Sequence, residues 1–336
     1  MKVDEIWRVL IQEVGEISSG YLTRRILPEV NYDVYLAIER PQDVCSLILS
    51  FHSNYLRDRI PLPAARSFEV RRVVFPNNPP DYLTIQLVLT DPQYKDIFVT
   101  LVQDIVDHIS SIVSEREAFE AFIVRLRRWQ TFLEKHGNEG LSDIAQRGLF
   151  GELWCLKYLL LPRVGLQQGV YSWTGPEGAP QDFQLEGCNI EVKTTITKQP
   201  QKLEIASERQ LDDTGIANLI LLHISLSISR EQGIKLPALV DEIRTALSSA
   251  PLVKAEFDTL LFEVGYLDVH AALYMTKGYV VRECDYYKVE NGFPRITEAE
   301  LLNGVGDVRY SINISACQNF LIKEETVISL IGVNYE

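Results

Sequence analysis

The stretch that most restricts the fold runs from Asp182 to Thr195: Asp-Phe-Gln-Leu-Glu-Gly-Cys-Asn-Ile-Glu-Val-Lys-Thr-Thr. Gly187 and Asn189 carry turn chemistry between two strand-like arms, so the chain doubles back there and sets Asp182 and Glu191 on neighbouring strands of one hairpin. Side chains alternate along a strand, so Glu191 and Lys193 share a face while Val192 points the other way into a core. Three charged groups therefore converge on one side of a sheet.

The segment before the hairpin, Ser142 to Leu160, has helical periodicity. Turning 100° per residue from Glu152 places Ala145, Gly148, Leu149, Cys155, Leu156 and Leu159 within about 60° on either side. Glu152 thus sits in the middle of an apolar stripe. A carboxylate there is costly unless it meets a cation, a metal or hydrogen-bond donors. It reads either as an acid facing the hairpin or as the structural partner of a buried lysine or arginine.

At 336 residues the chain has room for two or three domains. Its first residues, MKVDEIWRVLIQEVGEI, read as an amphipathic helix rather than a targeting leader. Strand-like runs follow at Tyr32 to Ile38, Val44 to Phe51, Phe68 to Phe75 and Tyr82 to Thr90, punctuated by prolines at 61, 63 and 76 to 80. Residues 1–115 are expected to form a β-rich domain for recognition or docking. Residues 116–141 read as a connecting helix, with Phe119, Phe122, Ile123, Leu126, Trp129 and Leu133 at helical steps. Residues 142–230 form the mixed α/β core and 231–336 an α+β extension. The fold class is α/β, α+β overall.

The formal charge of -13 rules out a uniformly basic surface, so a polyanion must meet a local patch. Residues 142–230 hold ten acids and eight bases, only -2 of that total. Five scattered cysteines without a CxxC pair argue against a disulfide framework or a zinc ribbon, and a reducing cytoplasm is the expected home. No apolar run approaches the roughly 18 to 20 residues of a membrane helix, and Leu219 to Ile228 is interrupted by His223 and serines, so a soluble protein is expected.

Two carboxylates beside an ammonium make a hard, oxygen-rich site suited to Mg²⁺, to which the Val192 backbone carbonyl can add a ligand. Such a site serves phosphodiester hydrolysis, because a cation neutralises the charge that develops on the phosphate. Lys198, Lys202 and Arg209 flank it as candidate phosphate contacts. Ser207 and Gln210 match an S-x-x-Q capping box, so Gln210 reads either as a cap or as a group at the site.

The pattern of Asp182, then Glu191-Val192-Lys193 on a hairpin, behind a helix bearing Glu152, resembles the PD-(D/E)XK nuclease superfamily, the restriction-endonuclease-like fold. More closely, GELWCLKYL, WTGPEGAPQDF, EVKTT, SERQL, FPRI and DVRYSINI resemble a bacterial family named for that motif and encoded near restriction and phage-defence genes. The resemblance implies Asp182 and Glu191 as metal ligands, Lys193 as the catalytic lysine and Glu152 as the helix acid. It also implies Mg²⁺ or Mn²⁺ as cofactor and double-stranded DNA as substrate. Methyltransferase or ATPase subunits and a second copy of the chain are the implied partners. The pattern departs at one place, where Gln181 precedes Asp182 and Pro180 lies one step earlier.

An ExK triplet alone is an ordinary solvated charge pair. It is the register of Asp182, the turn and Glu152 that gives it weight. Arg125, Arg127 and Arg128 read as a solvated helix face, Trp173 as packing, and the five histidines lack metal-ligand spacing. Phosphate-loop, GxSxG, GxGxxG and HExxH signatures are absent from the sequence. The sequence therefore points to a Mg²⁺-dependent DNA endonuclease, with a non-catalytic DNA-binding or scaffold subunit as the alternative and an RNA-directed nuclease as a weaker one.

Overall fold

The computed structural model describes residues 2–13, 19–52, 62–63, 67–73, 81–198 and 200–332, and the chain divides into two compact units, 1–139 and 140–336. The prolines expected to punctuate the chain at 61 and 76–80, and the end of the strand expected at 68–75, lie outside the described residues.

The first unit begins with helix α1 (Val3–Gln12), whose Val3, Trp7 and Leu10 repeat at helical spacing and are buried. A five-stranded antiparallel sheet follows in the order β1-β2-β3-β5-β4, from β1 (Gly20–Ile26), β2 (Asp33–Arg40), β3 (Val44–His52), β4 (Phe68–Val73) and β5 (Tyr82–Leu89). Strand β3 lies at its centre and is buried on both faces, as its run of apolar residues demands. Sequence reading passed over β1, because GYLTRRI is a mostly exposed edge strand with little apolar alternation.

The connecting helix expected over 116–141 is α3 (Glu115–His136), and a further helix, α2 (Lys95–Ile109), precedes it within the stretch expected to be β-rich. Ser114 separates them, its hydroxyl accepting the Glu117 N–H at the start of α3. Helix α3 belongs to the first unit. Phe119 packs edge-on against Phe51 of β3. Arg125, read from sequence as solvated, instead clamps Asp104 of α2 through two bonds of 2.5 and 2.6 Å, and the Trp129 indole joins the same carboxylate at 2.8 Å.

The second unit opens with α4 (Asp143–Trp154), capped by Ser142, whose hydroxyl accepts the Ala145 N–H. The helix widens into a π-helical turn over Cys155–Leu160 and continues through α5 (Leu161–Val164) and α6 (Leu166–Tyr171). Strands β6 (Phe183–Gln184) and β7 (Asn189–Thr195) form the expected hairpin. Then come β8 (Lys202–Ile205), β9 (Leu219–Ser229), β10 (Ile234–Lys235), α7 (Leu236–Ala246), α8 (Pro251–Glu263), β11 (Gly278–Val289), β12 (Tyr310–Asn313) and β13 (Leu321–Ile322).

The main sheet is mixed, in the order β10-β11-β9-β7-β6 with β13 on β11; β7 and β9 are parallel and the other pairs antiparallel. One face, carrying Ile190, Val192, Ile220, Leu222 and Ile224, packs with the helices in the principal core. The other, carrying Leu219, Leu221, Tyr287 and Val289, packs with Leu203, Ile205 and Ile312 of the two-stranded β8–β12 sheet. The core is not complete within residues 142–230, because β9 needs a partner along its second edge and β11 supplies it. The helix expected to open at Ser207 is a single 3-10 turn, Glu208–Leu211. The Asp212 carboxylate diverts the chain there by accepting the Thr214 N–H at 2.9 Å, an Asx turn.

Candidate active site

Asp182 stands at the mouth of the hairpin, where backbone rather than side chains fixes it. The N–H groups of Thr174 and Gly175 both donate to its carbonyl, at 2.9 and 3.0 Å, and Trp173 bridges to Phe183. A methyl group at position 175 would fall 3.0 Å from Asp182 Oδ1, so glycine gives the carboxylate its room. Phe183 opposes Ile190, and continuing that register sets Asp182 opposite Glu191 on one face. Asp182 Oδ2 accepts the Val192 N–H at 2.7 Å. The N–H and C=O of a strand residue point to the same edge, so the Val192 carbonyl is directed toward Asp182 as well.

Glu191 is 0 % exposed. Among the described residues no donor meets either carboxylate oxygen at a good hydrogen-bond angle, although Lys193 Nζ lies 2.7 Å from Oε1 and the Lys193 ammonium and the Asp182 N–H both favour its ionised form. Burial, reinforced by the neighbouring Asp182 charge, pushes its pKa up to about 8 against the opposing pull of Lys193. Burial likewise raises Asp182, with Lys193 and the Val192 N–H opposing. Burial thus favours a proton on these acids in the absence of a further cation.

The Lys193 side chain is 17 % exposed. Burial lowers its pKa, but Glu191 and Asp182 outweigh that and leave it raised, so the group is an ammonium at neutral pH. Its Nζ also donates to Gln210 Oε1 at 3.0 Å, and the same oxygen accepts the Ala206 N–H at 2.8 Å. Ser207 caps the turn independently, accepting the Arg209 N–H. Gln210 combines both contacts, closing the turn through the Ala206 N–H and meeting Lys193 with the same oxygen.

Glu152 is partly buried near the end of α4, and its Oε2 accepts the Trp173 indole N–H at 2.8 Å. Burial raises its pKa well above the carboxylate range and the Asp182 charge adds to that, while the indole bond opposes. Helix α4 lies against the Val192 and Thr194 face of β7, where a side chain on Gly151 would collide with Thr194 Cγ2 and approach Val192 Cγ1 to 3.3 Å.

The flanking cations do not gather here. Lys198 and Lys202 are exposed and, among the described residues, are not bonded to the acidic groups. Arg209 is paired with Glu208 at 3.8 Å and Glu298 at 3.5 Å.

Among the described residues no three His, Cys, Asp or Glu side chains form a closed metal cage. Two carboxylates and a backbone carbonyl are nevertheless a fitting set for Mg²⁺, which keeps several waters and binds through one or two carboxylates plus substrate phosphate. Buried Glu191, whose oxygens meet no well-aligned donor among the described residues, passes the same test.

Sequence reading missed Gly175, the role of Trp173 as donor to Glu152, and Gln181. Gln181 is buried; its Nε2 donates to the Arg209 carbonyl at 2.8 Å and its Oε1 accepts from Asn189 Nδ2 at 3.2 Å. The residue in the motif's proline position thus ties the hairpin to the turn bearing Gln210.

A family profile described as "Putative PD-(D/E)XK family member, (DUF4420)" matches residues 3–315. The chain belongs to this family. The match spans both units, well beyond the hairpin, and supports a nuclease-like fold. The residues that resemble the motif in this chain are Gln181-Asp182, then Glu191-Val192-Lys193. No curated protein and no solved structure matched the chain. Among the described residues no helix is long and apolar enough to cross a membrane.

Proposed function

We propose that this protein is a Mg²⁺-dependent DNA endonuclease, able to use Mn²⁺, that hydrolyses phosphodiesters in restriction or phage defence. The reading rests above all on Glu191, a wholly buried carboxylate without a well-aligned donor among the described residues, beside Asp182 and 2.7 Å from an ammonium. Buried charge of this kind is held only against a strong counter-charge.

Asp182, Glu191 and the Val192 carbonyl would hold the ion. An ion held there would supply positive charge to offset that on a scissile phosphate and would make a nearby water more acidic. Lys193 stabilises negative charge on the phosphate or orients the attacking water, at a position set by Glu191 and Gln210. Glu152, fixed by Trp173, keeps a proton or a negative charge beside Asp182 according to pH.

The formal charge of -13 favours a second reading, a non-catalytic subunit whose acidic surface serves protein partners such as a methyltransferase or an ATPase. Plasmid cleavage with Mg²⁺, Mn²⁺ or EDTA, on wild type, Asp182→Ala and Lys193→Ala, separates the two. Metal-dependent nicking lost in both variants supports the nuclease. Cleavage undiminished in both overturns the site, and wild-type inactivity on every DNA favours the scaffold.

A further inference from the structure

The turn that carries Gln210 is gripped from two sides by side chains far apart in sequence. On the hairpin side, Gln181 Nε2 donates to the Arg209 carbonyl at 2.8 Å. On the other, Arg295 Nη1 donates to the Leu211 carbonyl at 2.7 Å, and its Nη2 pairs with Asp213 Oδ1 at 2.8 Å. The Arg295 side chain is only 11 % exposed. The two side chains thus bind the carbonyls immediately before and after Gln210.

The segment around Arg295 is itself fastened to the same turn. The Glu298 N–H donates to Asp212 Oδ2 at 3.1 Å, and the Val308 N–H to the buried Glu208 at 2.8 Å. Tyr310 of β12 accepts the Ile296 N–H at 3.3 Å and lies within electrostatic reach of both Arg295 and Lys193. A guanidinium bound to one carbonyl and one carboxylate is a fixed fork, which suits it to holding a turn in place.

We propose that Arg295, acting with Gln181, is a positioning residue for Lys193: the two clamp the Gln210 turn, and Gln210 sets the ammonium. The region after residue 230 is then part of the catalytic apparatus, although it touches no reacting atom. This deepens the nuclease reading and rests on it for the effect on rate, but not for the effect on the lysine.

The test uses the full chain with Arg295→Ala, Arg295→Lys, Gln181→Ala and Gln210→Ala. One readout is the Nζ signal of Lys193 in ¹⁵N-lysine-labelled protein, assigned with Lys193→Met. The other is plasmid nicking in Mg²⁺ across pH. In wild type the Nζ signal should survive at neutral pH as a slowly exchanging ammonium. It should shift or broaden in the Ala variants and return in part in Arg295→Lys. Nicking should fall about 10- to 100-fold in kcat, the usual effect of outer-shell support, with KM for DNA within about twofold and the basic limb of the pH profile displaced.

Wild-type Nζ behaviour and pH profile in folded Arg295→Ala and Gln181→Ala would overturn the proposal. Should Arg295→Ala fail to fold, Gln181→Ala and Arg295→Lys decide by the same readouts. If wild type cleaves nothing yet the signal moves as stated, the clamp stands and the nuclease reading falls. If wild type cleaves and the signal stays, the clamp alone falls.

Discussion

Lys193 Nζ lies 2.7 Å from Glu191 Oε1, two residues earlier on the same strand. The pair is unequal: the ammonium has a second acceptor in Gln210, whereas among the described residues no donor meets either carboxylate oxygen at a good angle. Burial is the chief cause of the raised pKa values of Glu191, Asp182 and Glu152, and the Asp182 charge adds to it at Glu191 and Glu152.

That burial sets the pH dependence of stability. Glu191 moves from 4.5 to about 8 on folding, so between those values the folded state holds a proton the unfolded state has released, and stability falls as pH rises. Buried His223, pushed down to about 4 from 6.5, acts oppositely but only below pH 6.5. Without divalent cations the melting temperature should therefore drop from pH 6.5 to 8. Glu191→Gln should flatten the drop and raise stability at pH 8 by about 1 kcal/mol or more. Thermal melts of the two proteins check this, and an equal slope in both would count against the assignment.

Trp173→Phe removes the one indole donor from Glu152 while keeping most of a side chain that is 1 % exposed. The orphaned carboxylate should cost about 1–3 kcal/mol of stability, measurable by urea unfolding. Nicking should fall as well, more steeply above neutral pH, where the folded protein must carry the unpaired charge.

Gly151→Ala tests how closely α4 lies on β7. A β-carbon there collides with Thr194 Cγ2, and such overpacking costs about 1–3 kcal/mol against a gain of about 1 kcal/mol in helix propensity. Net destabilisation of roughly 1 kcal/mol is expected. Thr194→Ser, which deletes that methyl, should relieve it in the double variant. Additive single effects in a double-mutant cycle would show that the two positions do not meet.

The hairpin was legible from sequence because period-two alternation and the Gly187 and Asn189 turn are local signals. Asp182 opposite Glu191, and Val192 turned into the core, follow from them directly. Glu152 was legible as an anomaly, an acid on an apolar stripe, but its donor Trp173 lies 21 residues on and only the fold joins them. The edge strand β1 carried no hydrophobic period to read. The two grips on the Gln210 turn were invisible for the same reason as Trp173: Arg295 is 84 residues from the carbonyl it holds. Lys198, Lys202 and Arg209 were grouped with the site by closeness in sequence, and the structure leaves the first two exposed and engages the third with acids.

The most direct test of the account is calorimetric titration of Mn²⁺ into the protein with a non-hydrolysable phosphorothioate duplex present, in buffers of different ionisation enthalpy. A Glu191 pKa near 8 in the free protein means that binding at pH 7 should release a proton, with uptake abolished in Asp182→Asn and Glu191→Gln. Uptake unchanged in both variants, or no uptake by wild type with DNA present, would contradict it.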